Sequence, residues 1–367
     1  MPKKIKNCFD KNLTFEKLMQ AHERARIHKT YKNEVIKFEL NLENNITNLL
    51  NNIKNNTYHL GNYYTFKIYE PKERIINALP YIDRIVHQWY VEEFIKPYIV
   101  PKFINTSFAC LKDKGTHRAV DEVNVQLRTL HRKSNSFWIL KCDISKFFYS
   151  IDPFILFKIL KKYITDKKLL RFTHLLIFDG RKATETVGIP IGNYTSQFFA
   201  NIYMNELDQY IKRDLKIKHY TRYINDFILL LKTKSECIDL KRKIEVFLKN
   251  KLHLSLNNKS KYYPNPMGVN FCGYRIFTTH KLLRLDSKKK IKRKVKHWNS
   301  LHKKNSLDIN NAMQSINSWI GHSCHCNSFN LQNKILNSCN FLYNDNYYKN
   351  MEDELILLIE NNKNNRQ

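Results

Sequence analysis

Long apolar runs are missing from this sequence, and acidic residues are scarce in it. No stretch approaches the roughly 20 apolar residues that would span a bilayer. The opening residues, Met1-Pro2-Lys3-Lys4-Ile5-Lys6, lack the apolar core of a secretory signal. A basic amphipathic N-terminal helix and a lipidation signal are missing too, so no membrane attachment is expected and the chain is read as cytoplasmic. The eight cysteines are scattered, which suits a reduced compartment rather than a disulfide scaffold. Asp and Glu number 33 against 63 Lys and Arg, a formal net charge of +30. That excess is beyond what solubility asks for. It implies an extended polyanion, RNA or DNA, whose binding falls steeply with salt. At 367 residues the chain can bury a sizeable core and is expected to divide into lobes.

Helical spacing marks Leu13 to Ile27 and Val35 to Ile53, the second within an asparagine-rich segment read as composition bias. Strand-like alternation over Tyr63 to Tyr69 precedes the turn Glu70-Pro71-Lys72-Glu73, which leads into a second strand, Arg74 to Ala78, and a helix follows over Tyr81 to Ile95. Further helices are expected over His117 to Leu130, Phe154 to Tyr163 with Asp152 as its cap, from the 187–197 loop to about Ile211, and over Glu236 to Leu248. Leu252 to Leu256 reads as a strand, and Gly268 to Ile276 as a hairpin. The Gly115-Thr116 step beside Lys114 has two readings, a phosphate-receiving helix start and an ordinary cap. His322-Ser323-Cys324-His325-Cys326 carries zinc-ligand types but lacks a distant second pair, although Cys339 lies further on. Free thiols and imidazoles at a helix–helix turn are expected there.

The chemistry is concentrated in two short stretches. Tyr223-Ile224-Asn225-Asp226-Phe227 reads as a hairpin with Asn225 and Asp226 at its tip, and Leu140-Lys141-Cys142-Asp143-Ile144 as a strand carrying one carboxylate. Brought together, these make a shallow acidic site in a basic chain. Carboxylates and a carboxamide can hold divalent cations against the phosphates of an incoming nucleotide. Glycines, a proline and small polar residues in Val187 to Gln197, ahead of a long helix, let backbone come close to a ligand. From Lys281 to Lys304 there are eleven Lys or Arg against one acid, Asp286, a surface suited to phosphates.

Taken in order, these blocks resemble the reverse transcriptase family over roughly residues 60 to 340. The marks are Pro71-Lys72-Glu73-Arg74-Ile75, Asp143-Ile144-Ser145-Lys146-Phe147-Phe148, Gly188-Ile189-Pro190-Ile191-Gly192-Asn193-Tyr194-Thr195-Ser196-Gln197, Asn201 to Asp208, Arg222 to Phe227, and Gly268 to Tyr274. Each is weak alone, and the ordered set is specific. The chain is similar to the prokaryotic branch of group II intron and diversity-generating retroelement enzymes. Ile191-Gly192 and Ser196-Gln197, where most of that branch has Gln-Gly and Ser-Pro, look like the diversity-generating group.

The resemblance implies an α+β right-hand polymerase. Its parts would be an N-terminal helical extension (1–60), fingers and the start of the palm (61–142), palm with an inserted fingers segment (143–280), a basic helical thumb (281–345) and a flexible tail (346–367). It implies RNA-directed DNA polymerase activity with two magnesium ions, manganese being the substitute, at Asp143, Ile144, Asn225 and Asp226. Lys72 and Arg74 would clamp the triphosphate. Phe148 would exclude a ribose 2′-hydroxyl, and Ile144, Gly192, Ser196 and Gln197 would shape the nucleotide pocket. Lys259 would protonate the pyrophosphate. Arg222 and Tyr223 would support the hairpin, Tyr223 beside the primer end. Lys114, Lys288, Lys289, Lys292, Arg293 and Lys296 would meet nucleic acid. The implied partners are an RNA template, a DNA or RNA primer, deoxynucleotide triphosphates, and a small basic accessory protein or a noncoding RNA.

One departure stands out. The family's hairpin carries two successive aspartates, and here the first is Asn225. Its carbonyl oxygen can still bind a cation, but one negative charge is gone where charge stabilisation of phosphoryl transfer matters most. Three explanations stay open: an inactivating substitution, a compensated specialist, or a chain kept for nucleic-acid binding. A defence-associated enzyme is a further alternative to a diversity-generating one.

Overall fold

The computed structural model describes residues 4–69, 73–179 and 186–342. It separates into two compact units, Met1–Gly115 with Leu140–Tyr262, and Thr116–Ile139 with Tyr263 onward. Among the described residues no helix is long and apolar enough to cross a membrane.

In the first unit, Thr14 caps the helix Phe15–Arg26 by accepting from the Lys17 amide. The helices Asn33–Glu39 and Leu42–Lys54 follow, the latter burying Ile46, Leu49 and Ile53 along one stripe. Strands β1 (Tyr64–Ile68) and β2 (Arg74–Ala78) form an antiparallel pair with Ile68 opposite Arg74. The helix Tyr81–Tyr90 runs on as a π-helical turn over Val91–Ile95, so the single helix expected there has a wider last turn.

The central sheet is ordered β4-β5-β3-β6, with β3 Trp138–Asp143, β4 Tyr220–Tyr223, β5 Asp226–Leu231 and β6 Lys261–Pro264. The inner strand β5 is buried from Phe227 to Leu231. The helix Tyr194–Gln209 buries twelve of its residues, including the polar Asn201, Asn205 and Asp208. Asp152 caps Pro153–Tyr163 through the amides of Phe154 and Ile155, as its position before Pro153 leads one to expect.

The strand expected at Leu252–Leu256 is not formed. A capping box between Thr233 and Glu236 starts a helix at Lys234 that runs through Leu252, and His253 ends it in the left-handed region at φ 49°. Leu252 and Leu254 are buried, so the leucines at every second position imitate strand alternation, while Leu256 makes only one bridge, to Ile144. The strand sits instead at β6.

In the second unit, the helix Thr116–His131 accompanies a three-stranded antiparallel sheet of β7 (Val269–Phe271), β8 (Tyr274–Ile276) and β9 (Lys281–Leu283). The β7–β8 hairpin is the one expected within Gly268 to Ile276. Asn124 and Arg128 fasten that helix to the carbonyls of Phe277 and Thr278. Three helices complete the described part, Leu285–Lys303, Ile309–Ser323 and Phe329–Leu336.

Candidate active site

The acidic site forms where β3 ends and the β4–β5 hairpin turns. Tyr223 pairs with Asp226, so the two-residue turn is Ile224-Asn225, and Asp226 opens β5 rather than lying at the tip as expected. The shift of one residue has a backbone cause: Ile224 holds φ 54°, a region β-branched residues avoid. Such a conformation costs on the order of 1–3 kcal/mol and persists only where its surroundings impose it. Two hydrogen bonds do so. Arg222 Nη1 donates to the Ile224 carbonyl at 2.8 Å, and the Ile144 amide donates to the Asn225 carbonyl at 3.1 Å.

That second bond stitches the hairpin to the chain just after β3. Asn225 Nδ2 then donates to Asp143 Oδ1 at 2.7 Å and to the Ile144 carbonyl at 3.3 Å. Lys141 and Asp143, two residues apart on one strand face, approach different hairpin residues. Lys141 Nζ lies 2.9 Å from Asp226 Oδ2. On the other side, the Asn257 amide donates to the Asp143 carbonyl at 2.7 Å, and Ser260 Oγ accepts from the Asp143 amide at 3.1 Å. Lys259 projects from that same turn and is exposed, its own amide donating to Asn257 Oδ1. Asp143, Ile144, Asn225 and Asp226 are thus brought together, and Lys259 stands on the turn that fixes Asp143.

The glycine loop reaches the same neighbourhood. Gly188 lies against the backbone of Tyr149, and the Ile189 amide donates to the Phe148 carbonyl at 2.8 Å. Phe148 is half-buried, with its ring edge-on to Phe147 at 5.4 Å. At the other end of the loop the Asn77 amide of β2 donates to the Ile191 carbonyl at 2.9 Å. A Cβ on Gly192 would fall 2.8 Å from the Asn77 carbonyl oxygen, and its φ of 126° suits only glycine. The loop therefore ties the strand carrying Arg74, which is exposed, to the segment carrying Phe148. Lys72 lies outside the described residues. Ser196 is buried in the first turn of Tyr194–Gln209, whereas Gln197 beside it is exposed.

Beneath the loop, Thr195 Oγ1 is 2.8 Å from His87 Nδ1. Burial pushes the His87 imidazole down from its ordinary value to about 3. The unfolded chain takes up that proton below about pH 6.5 while the folded chain refuses it, so stability is lost as pH falls below 6.5. Between pH 6.5 and 5 the His87 contribution should be about 2 kcal/mol. Urea midpoints at the two pH values should show a shallower acid loss in His87→Gln than in the parent chain.

Of the candidate nucleic-acid contacts, Lys114 turns its ammonium onto carbonyls of its own loop, those of Asn105 and Ser107, and over the Phe108 ring. Tyr223 is half-buried at the end of β4. In the second unit the helix Leu285–Lys303 buries Ile291, Val295 and Trp298 at helical spacing. Lys289, Lys292, Arg293 and Lys296 are exposed and Lys288 is half-buried. His322 lies in the last turn of the next helix, with Tyr274 Oη donating to its carbonyl, and the rings of His117 and His325 stack at 3.5 Å. Among the described residues no two cysteines form a disulfide, and no group of three or more His, Cys, Asp or Glu is arranged to hold a metal.

Two features of the site were not anticipated from the sequence: the Lys141–Asp226 pair, and the fastening of Asp143 by Asn257 and Ser260. Only the two-residue spacing of Lys141 from Asp143 pointed to the first.

A carboxylate at the end of a strand, a second one on an adjoining hairpin and a glycine loop tying β2 to the Phe148 segment fit the α+β right-hand polymerase fold. The family model described as reverse transcriptase (RNA-dependent DNA polymerase) matches residues 67–276, and the chain belongs to that family. It is 25% identical over 234 residues to Protein YkfC of Escherichia coli (strain K12), covering 53% of this chain and 60% of that one. It is 21% identical over 306 residues to the group II intron-encoded protein LtrA of Lactococcus lactis subsp. cremoris, covering 64% and 50%. The chain thus spans between half and 60% of the length of these two relatives. Among solved structures, an apo telomerase from Candida tropicalis truncated from its C-terminal domain aligns with TM-score 0.46 and 14% identity, over 63% of this chain and 56% of that one.

Proposed function

We propose that the chain is an RNA-directed DNA polymerase that extends a DNA or RNA primer on an RNA template, within a diversity-generating retroelement. The observation that carries the polymerase reading is the meeting of Asp143 with the β4–β5 hairpin at Asn225, beside Asp226 and the segment whose loop joins Phe148 to β2. The donors Asp143, Ile144, Asn225 and Asp226 present carboxylate, carbonyl and amide oxygens, hard ligands that suit magnesium, with manganese as substitute. When bound there, magnesium lowers the pKa of a primer 3′-hydroxyl and neutralises phosphate charge.

The rest falls to the chain's own residues. Arg74 meets the triphosphate by charge and bidentate hydrogen bonds, with Lys72 beside it. Phe148 fills the space a ribose 2′-hydroxyl would need. Gly192 lets backbone approach the nucleotide, and Ser196 and Gln197 border the templating base. Lys259 gives a proton to the departing pyrophosphate. Lys288, Lys289, Lys292, Arg293 and Lys296 neutralise template–primer phosphates. The Ile191-Gly192 and Ser196-Gln197 pairs support the diversity-generating assignment, in which a small basic accessory protein is the expected partner.

The test is magnesium-dependent deoxynucleotide incorporation on a primed RNA template. The parent chain should extend the primer, and Asp143→Ala should lose about 10³-fold or more of the rate. Extension that survives Asp143→Ala would sink the assignment of this site. A second reading, nucleic-acid binding with little catalysis, is favoured by one contact only, the Asn225 amide nitrogen on Asp143. It predicts tight duplex binding and no extension.

A further inference from the structure

The ammonium at the acidic site belongs to a residue given no role so far. Resting on the polymerase reading of that site, we propose that Lys141 is an internal counter-ion occupying the place of a divalent cation at Asp226. The protein alone would then hold a single divalent ion, at Asp143.

Geometry supplies the first argument. Lys141 Nζ sits 2.9 Å from Asp226 Oδ2, and the two side chains are only 21% and 27% exposed. A pair so far withdrawn from water interacts more strongly than a surface ion pair. Lys141 gets there because it shares a strand face with Asp143 while β5 lies beside β3. It is aimed at the hairpin by the same register that aims Asp143.

Charge supplies the second. With Asn225 in place of an acid, Asp143, Asp226 and Lys141 together carry one net negative charge. Two divalent ions would bring four positive charges to that set with no nucleotide phosphate to share them.

The two positions also differ in what an arriving ion displaces. At Asp143 it displaces the neutral amide of Asn225, which can turn its carbonyl oxygen toward the ion and remain a ligand. At Asp226 it competes with an ammonium already paired to Oδ2. The first exchange is favourable for a hard dication, and the second trades one ion pair for another. This departs from the two-ion expectation for the free protein and makes Lys141 a determinant of metal stoichiometry.

Manganese binding to the full chain, followed by the EPR signal of free Mn²⁺ without nucleotide or nucleic acid, tests this directly. The parent chain should take up one ion, and Asp143→Ala should lose it. Lys141→Met should bind a second ion or bind at least about tenfold more tightly, a change of about 1.4 kcal/mol. Lys141→Arg, which keeps the charge, should match the parent. Lys141→Gln repeats the neutral substitution should the methionine variant not fold. Two ions on the parent chain, no binding by parent and Lys141→Met alike, or equal binding by parent, Lys141→Met and Lys141→Gln would each overturn the proposal. Primer extension on the same variants separates the two readings. An unchanged manganese pattern with no extension by any variant would refute the polymerase function and leave the counter-ion role standing.

Discussion

Asn225→Asp is expected to raise magnesium-dependent incorporation by about 10²-fold or more, since one well-placed electrostatic group at a reacting centre is worth about that much. Without metal the same change should destabilise the protein by about 2 kcal/mol. Both effects come from one contact. Asn225 Nδ2 donates to Asp143 Oδ1 at 2.7 Å, and a hydrogen bond to a charged acceptor contributes about 1.5–3 kcal/mol. A carboxylate in its place would set two negative oxygens at contact distance. The pair could relieve this by keeping a proton or by binding a cation. Magnesium should therefore raise the melting temperature of Asn225→Asp much more than that of the parent chain. Thermal melts with and without magnesium, run beside primer extension, check both halves. Equal magnesium shifts in the two proteins would mean that the turn does not face the ion.

Arg222→Met should destabilise the fold by about 3–5 kcal/mol, the usual consequence of leaving one member of a buried ion pair alone. Arg222 is fully buried, and its Nη2 lies 2.6 Å from Asp208 Oδ2 with Nε 2.8 Å from Asp208 Oδ1. The fork also reaches Asn201 Oδ1, Ser107 Oγ and the Ile224 carbonyl, and Tyr220 Oη donates to the same Asp208. Removing the guanidinium strands the Asp208 charge and releases the turn that holds Ile224 at positive φ. Pairing Arg222→Met with Asp208→Leu should recover much of the stability, because the stranded charge leaves too. It should not recover primer extension, because the Ile224 carbonyl stays unanchored. Urea unfolding gives the first quantity and extension by the double variant gives the second. Full activity in that variant would show that the turn keeps its shape without Arg222.

Arg222 shows how the sequence and the structure divide the account. A cation before the hairpin reads plainly as a support for it, yet its partners, Asp208, Asn201 and Ser107, come from other elements and carry no local signature. The β2 boundaries were legible because a turn containing Pro71 precedes the strand and Pro80 follows it, and Asp152 was legible as a cap because Pro153 follows it. Leu252 to Leu256 misled because buried leucines at every second position serve a helix end as readily as a strand. The turn misled for the opposite reason. Asn is the residue that tolerates the left-handed region, and Ile224 takes it instead.

By itself the sequence determined the family, through the order of its motifs, and an excess of positive charge suited to a polyanion. It also named the candidate oxygen donors, Asp143, Asn225 and Asp226. Tertiary structure decided what those donors do in the free protein. Asn225 answers Asp143 across 82 residues and Lys141 answers Asp226 across 85. Such pairings follow from which strand lies beside which, and local periodicity encodes only how each strand faces its own neighbours.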